Sequence, residues 1–311
     1  MRDGQPRKVV LVTRRTRLEE LVARFHTQER ARFYVEHLGA DFGDYLEEDR
    51  TYRAGLAMVK ALLEAHGRYQ VIERTFLPNF VFGTDDVVVT FGQDGLVANT
   101  LKYLDGQPLV GVNPDPARWD GVLAPHGVAE VGRVLPAVLA GEAGTQAVTM
   151  AEARRPDGQV MLAVNDLFIG PRSHISARYE IALGERREVQ SSSGVIVATG
   201  LGSTGWMRSV VTGAVGVAAE VGGRPLPWRF EATRWDSPAL VFAVREPFPS
   251  RASQASLLYG AVPAGQTLTL TSRMAEHGVV FSDGIEADYL EFNAGTRLQI
   301  GVSARTGRVV T

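Results

Sequence analysis

A chain of 311 residues, 45% hydrophobic and 22% charged, is long enough for about two domains with ordinary buried cores. The formal charge of −2 argues against a nucleic-acid partner, and no apolar run approaches the roughly 20 residues that span a bilayer. There is no cysteine, which excludes disulfides, zinc–thiolate sites and thiol nucleophiles.

Residues 1–8 lead straight into an apolar run without a signal-peptide core, so a cytoplasmic location is expected. Residues 8–13 read as a first strand. Residues 18–39 follow helical spacing, 41–49 read as a polar linker, and 52–66 as a second helix stopped by Gly67. Residues 69–74 are strand-like. The run Asp86-Val87-Val88-Val89-Thr90-Phe91 has the continuous apolar character of a strand buried on both faces of a parallel sheet. Gly92-Gln93-Asp94-Gly95 turns the chain, and Leu96, Leu101 and Leu104 mark the helix that follows. Residues 108–113 make another buried strand ending in Asn113-Pro114-Asp115-Pro116. Strands alternating with helices indicate an α/β domain over residues 1–127. From residue 128 one helix (129–139) leads into β-rich segments at 145–154, 160–169, 175–183, 188–199, 239–244, 267–272, 279–281 and 297–302. These predict a second, β-rich, sandwich-like domain over 128–311.

A strand, a Gly-rich turn and a helix set backbone N–H groups and the positive helix end at the carboxyl edge of a sheet, where phosphates bind. A carboxylate there repels an anion, so Asp94 is either a helix cap or a group that does chemistry, such as a base beside a phosphoryl group. The only lysines are Lys8, Lys60 and Lys102, and none completes a P-loop; a phosphate site must use amides, arginine and metal.

Gly200, Gly202 and Gly205 match G-x-G-x-x-G, but among β-strands and without an acid closing a second strand, so a Rossmann reading fails. The loop from Thr199 through Ser203 and Thr204 to Trp206 still offers small residues and hydroxyls at a helix start, for a ribose, phosphate or amide. Asn165-Asp166 and Ser282-Asp283-Gly284 read equally well as turns, and the six histidines show no metal-ligand spacing.

In this order the pieces resemble the NAD kinase family, whose G-G-D-G, G-V-N, N-E and T-G-S-T-A-Y-like motifs correspond to Gly92-Gln93-Asp94-Gly95, Gly111-Val112-Asn113-Pro114, Asn165-Asp166 and Gly202-Ser203-Thr204-Gly205-Trp206. Similarity to the mitochondrial-type branch runs through Thr13-Arg14-Arg15-Thr16-Arg17, Asn113-Pro114-Asp115-Pro116, Val164 to Gly170, Tyr179-Glu180-Ile181 and Val244-Arg245-Glu246-Pro247. The resemblance implies an α/β domain and a β-rich domain with the active site between them, the C-terminal tail packing back on the first. It implies Mg²⁺-dependent transfer of the ATP γ-phosphoryl group to the adenosine ribose 2′-hydroxyl of NAD(H), in a homo-oligomer, most simply a dimer. Asp94 would be the base; Gly92 and Gly95 would bring backbone N–H groups to the donor phosphates, Gln93 and Asn113 would also bind nucleotide or phosphate, and Mg²⁺ would be held mainly by phosphates. Asn165, Asp166, Thr199, Gly202, Ser203, Thr204, Gly205 and Trp206 would line the acceptor pocket. Gln93 replaces a glycine, which would cost roughly 1–2 kcal/mol were φ positive there. Leu96 replaces a threonine, Ser193 an aspartate, and Trp206 a tyrosine. A lipid or sugar kinase of related fold, or an NAD(P)-binding pseudokinase, shares these features.

Overall fold

A computed structural model describes residues 7–311. The chain divides into two compact units: residues up to Gln146 together with Arg308–Thr311, and Ala147–Gly307.

The first unit is a parallel α/β fold. Its elements are β1 (Val9–Thr13), α1 (Arg17–Phe25), α2 (Gln28–His37), α3 (Phe42–His66), β2 (Tyr69–Glu73), β3 (Val87–Phe91), α4 (Asp94–Leu101), β4 (Pro108–Asn113), β5 (His126–Gly127) and α5 (Val131–Ala140). The strands lie in the order β2-β1-β3-β4, all parallel. Every residue of β1 and β3 is buried, as their unbroken apolar runs require. The chain leaves the carboxyl end of β1 towards β2 and that of β3 towards β4, in opposite directions, which opens a crevice between the carboxyl ends of β1 and β3.

The helical segment differs from the sequence expectation in three places. Residues 18–39 form two helices, not one: His26 turns left-handed at φ 70°, and the Thr27 side chain caps α2. The polar stretch 41–49 is not a linker but the first turns of α3, a 25-residue helix whose start is capped by Asp41. Its acids are used for ion pairs, Asp44 with Arg17 and Arg118, and Glu48 with Arg14 and Arg17. The boundary also moves, from 127/128 to 146/147, since α5 buries Val131, Val134, Leu135 and Val138 in the same core as Val59, Leu63 and Val89.

The second unit is a β-sandwich. It comprises most of β6 (Thr145–Arg154), then β7 (Val160–Ala163), β8 (Asp166–Pro171), β9 (Ala177–Leu183), β10 (Arg186–Ser192), β11 (Val195–Ala198), α6 (Trp206–Gly222), β12 (Ala239–Val244), β13 (Tyr259–Pro263), β14 (Leu268–Ser272), β15 (Gly278–Ser282), β16 (Ile285–Glu291) and β17 (Arg297–Val310) to Gly307. One antiparallel sheet runs β10-β9-β14-β17 and the other β13-β12-β11-β8-β15-β16. Tyr179, Ile181, Leu270 and Ile300 of the first meet Leu167, Ile169, Val197 and Phe242 of the second in one core. The expected strand 188–199 is two strands in different sheets, because Gly194, at φ 112°, turns the chain between β10 and β11.

Gly111 shows how tightly the first unit is built near the Gly-rich turn. A Cβ on it would lie 2.2 Å from the Leu123 carbonyl oxygen and 2.7 Å from the Ala124 Cα, so only glycine lets residues 123 and 124 lie on β4. Gly111→Ala should therefore destabilise the fold by roughly 1–3 kcal/mol, read as a lowered midpoint in urea. An unchanged midpoint would mean that this loop is not packed on β4.

Candidate functional site

In the first unit the ends of β1 and β3 are tied together by one side chain. The Tyr52 hydroxyl accepts from the Arg14 amide (3.0 Å) and donates to the Phe91 carbonyl (3.1 Å). Burial pushes its pKa up to about 12, so it stays a neutral donor. Gly92 follows directly, its amide bonded to the Val112 carbonyl on β4 at 3.0 Å. Gln93 is the N-cap of α4 at φ −85°, an ordinary extended conformation, so it costs no backbone strain where the family resemblance has a glycine. Gly95 is exposed, and a Cβ there would meet nothing within 4 Å. Leu96 is buried and contributes apolar contact only. Of the first-turn amides of α4, that of Leu96 donates to the Gln93 carbonyl (2.8 Å), while those of Asp94 and Gly95 have no acceptor within the helix, which leaves them for a ligand or water.

Asp94 does not cap its own helix. Its Oδ1 accepts from the amides of Leu123 (2.9 Å) and Ala124 (3.1 Å), and its Oδ2 from the amide of Val122 (3.0 Å). Three N–H dipoles thus answer the charge that would otherwise repel an anion at the turn. A carboxylate has about four lone-pair positions, so one remains on Oδ2. Asn113 is buried, and its side chain bonds the Trp119 carbonyl (2.8 Å) and the Asp115 amide (3.0 Å); both ends shape the loop that Asp94 holds.

In the second unit Asp283 plays a matching part. Its carboxylate accepts from the amides of Val164 (3.1 Å), Asn165 (2.6 Å) and Asp166 (3.3 Å). Asn165 thus gives its backbone N–H to Asp283, while its side-chain carboxamide makes no hydrogen bond among the described residues. Asp166 is only 8% exposed and its carboxyl also has no hydrogen-bond partner there. Burial first, and the nearby Asp283 second, push its pKa up to about 7.

The glycine loop is shaped by close backbone approach. A Cβ on Gly200 would lie 1.9 Å from the Arg234 carbonyl oxygen, and one on Gly202 would lie 2.0 Å from that of Asn165. The hydroxyls mostly serve the loop itself: Thr199 bonds the Val164 carbonyl (2.6 Å), Ser203 that of Gly200 (2.7 Å) and Thr204 that of Leu201 (3.3 Å). Gly205 is exposed and starts α6, whose first residue is Trp206.

Trp206 stacks on Phe168 at 5.6 Å, and Phe168 on Phe281 at 4.8 Å. The Arg245 guanidinium lies 5.4 Å over Trp206, and that of Arg172 lies 3.9 Å over Tyr289. These residues, together with Glu286, line an open pocket of about 230 Å³. Rings and two cations suit a ligand that is both aromatic and anionic. Sequence reasoning missed Arg172, Phe281, Tyr289 and the clamp by Asp283. The one available signal was Phe281 beside Ser282-Asp283-Gly284, and its partner Phe168 becomes visible only through the β8–β15 register. Among the described residues no cluster of three or more His, Asp and Glu is placed to hold a metal, and no helix is long and apolar enough to cross a membrane.

Solved structures match nearly the whole chain, among them two kinases. Yeast NADH kinase, crystallised with NADH, aligns over 99% of this chain and 84% of its own, with a TM-score of 0.63 and 16% identity. An NAD kinase from Archaeoglobus fulgidus in complex with ATP aligns over 97% of this chain and 93% of its own, with a TM-score of 0.54 and 15% identity. The fold is that of the NAD kinases. No protein-family model and no curated protein matches the sequence itself. Within this NAD kinase fold, the parallel sheet carries Gly92 to Gly95 and Asn113, and the antiparallel sandwich carries the other candidate residues, from Asn165 to Trp206.

The Asp166 carboxyl gives a pH signature. Folding raises its pKa from 3.8 to about 7, so its protonated form is favoured in the native state. Its contribution to stability is fully present below pH 4 and is lost as pH rises through 7. Asp166→Asn should flatten this dependence: between pH 5 and 8 the variant's melting temperature should fall less than that of the unaltered protein. Parallel curves would show that Asp166 does not titrate in this range.

Proposed function

We propose that this protein is an NAD(H) kinase that transfers the γ-phosphoryl group of ATP to the adenosine ribose 2′-hydroxyl, giving NADP(H). The observation that carries the reading is Asp94: an acid at the start of a helix, beside the β1/β3 crevice, with one lone-pair position open. The shared fold and the ordered motifs support it, and the strings around Thr13 to Arg17 and Val164 to Gly170 favour the mitochondrial-type branch.

In this reading the 2′-hydroxyl proton passes to Asp94 Oδ2 as the ribose oxygen attacks the γ-phosphorus. The bond from that phosphorus to the β–γ bridging oxygen breaks, and ADP leaves. Phosphoryl transfer asks mainly for positioning and charge stabilisation, so one base and a fixed donor suffice. The amides of Gln93, Asp94 and Gly95 bind donor phosphates. A divalent cation such as Mg²⁺ would supply neutralisation of phosphate charge and would be held mainly by the phosphates, since Asp94 is the only oxygen anion on the turn and three N–H groups already engage it. On the acceptor side Asn165 and Asp166 hold ribose and adenine through their unengaged polar groups. Trp206, with the Phe168 ring and Arg245 beside it, takes a ring and a phosphate of the dinucleotide. Thr199, Gly202, Ser203, Thr204 and Gly205 fix that loop's shape. The arginines beside Trp206 favour an anionic acceptor over a lipid, and the unstrained Gln93 removes one motive for a pseudokinase.

The test is direct. Purified protein with ATP and Mg²⁺ should convert NAD or NADH to the 2′-phosphorylated product. Asp94→Asn should lower kcat by about 10²–10⁴-fold while shifting the Kd for NAD by less than about tenfold. The same change should lower stability by roughly 1–3 kcal/mol, because an amide NH₂ would face one of the three backbone donors. A kcat within about threefold of the unaltered enzyme removes Asp94 from the mechanism. No product from either acceptor, with ATP or polyphosphate as donor, removes the NAD kinase reading.

A homodimer belongs to the same proposal. Helix α6 carries Val217 at 66% and Val221 at 84% exposure amid alanines and glycines, an apolar face that a second copy would cover. Light scattering at micromolar concentration should give twice the 33.7 kDa chain mass; a monomer would overturn it.

A further inference from the structure

We infer that Arg14 is a positioning residue for a chain of phosphates, anchoring the polyphosphate end of the donor at the β1/β3 crevice. The inference deepens the kinase reading and rests on it for its place in the reaction.

Arg14 is the first residue after β1, its backbone held by Tyr52 across the crevice. Its side chain is only 12% exposed and lies against the Gly-rich turn. The Cδ and Nε atoms are both 3.5 Å from the position that a Cβ on Gly92 would take. That is ordinary contact distance, so the stem of this arginine lies directly on the turn. The guanidinium is only partly engaged: one terminal nitrogen donates to Glu48 Oε1 (2.8 Å), the other to the Arg15 carbonyl (2.8 Å). The Nε is buried with no hydrogen-bond partner among the described residues.

A buried, unsatisfied donor on a cation is costly unless something completes it. The neighbouring cations are committed elsewhere. Arg17 is divided between Glu48 and Asp44, and Arg15 is half exposed beside Glu73. No lysine is on the turn: Lys8 pairs with Asp86, and Lys102 is buried at the far end of α4. Burial opposes the charge on Glu48, yet Arg14 and Arg17 outweigh it and hold its carboxyl below the usual range. Glu48 thus works as an anionic strut that sets the guanidinium in place. A planar fork held this way, next to first-turn amides, matches the oxygens of a phosphate chain. The ligand class is a nucleoside triphosphate or inorganic polyphosphate.

The test measures binding by calorimetry, without NAD, to inorganic tripolyphosphate and to ATP, each with Mg²⁺. Arg14→Gln should weaken tripolyphosphate and ATP by about ten- to a hundredfold and leave the Kd for NAD unchanged. In turnover, the donor KM should rise more than the acceptor KM. Arg14→Gln leaves the buried Glu48 with Arg17 as its one remaining ion-pair partner, so the Arg14→Gln/Glu48→Gln double variant, which swaps the pair for two neutral amides, is measured beside it. Weakening of both ligands assigns the site to the phosphates in either source; weakening of ATP alone assigns it to phosphates carried on a nucleoside. A folded variant that binds both normally, or an unaltered protein that binds neither, overturns the inference. Arg14-dependent binding without any NADP(H) formation would instead sink the NAD kinase reading and leave this site standing.

Discussion

A carboxylate within an anion-binding turn is tolerable only when other groups answer its charge, and the first unit is arranged around that constraint. Asp94 takes three consecutive amides, those of Val122, Leu123 and Ala124. Those amides can reach it only because Gly111 on β4 has no side chain and Asn113 shapes the preceding turn. Tyr52 then holds the carboxyl ends of β1 and β3 together, so the crevice and the turn come as one piece.

The second unit repeats the device with different parts. Asp283 clamps the amides of Val164, Asn165 and Asp166, and the glycine loop folds over the Asn165 carbonyl with no room for a Cβ at 202. In both places a carboxylate organises backbone, and glycine is needed where two stretches of main chain meet. Spending Asp283 on the backbone has a consequence for its neighbour. The Asp166 carboxyl is left buried, unbonded and beside another acid, which is why it holds its proton to near neutral pH.

Much of this was legible in the chain. The buried runs 87–91 and 108–113, the strand–turn–helix around Gly92, and the change from alternating to β-rich character all follow from hydrophobic period and turn chemistry. Two stretches were misread, each for its own reason. Residues 41–49 looked like a linker because they are polar, yet their charges pair with Arg14, Arg17 and Arg118 from elsewhere in the chain. Residues 188–199 looked like one strand because a single glycine at positive φ does not interrupt a β pattern.

By itself, then, the sequence determined the order of the elements, the position of the Gly-rich turn and the identity of Asp94 as the one acid on it, because each is set by neighbours a few residues apart. Only the tertiary structure decided what the acids face. Asp94 meets partners 28 to 30 residues away and Asp283 meets partners 117 to 119 away. The stem of Arg14 comes to rest on Gly92 through the β1–β3 register. Phe168 and Phe281 share a pocket with Trp206 through the pairing of β8 and β15. Hydrophobic periodicity says which face of a strand is buried; the strand beside it is chosen by the packing of the whole unit.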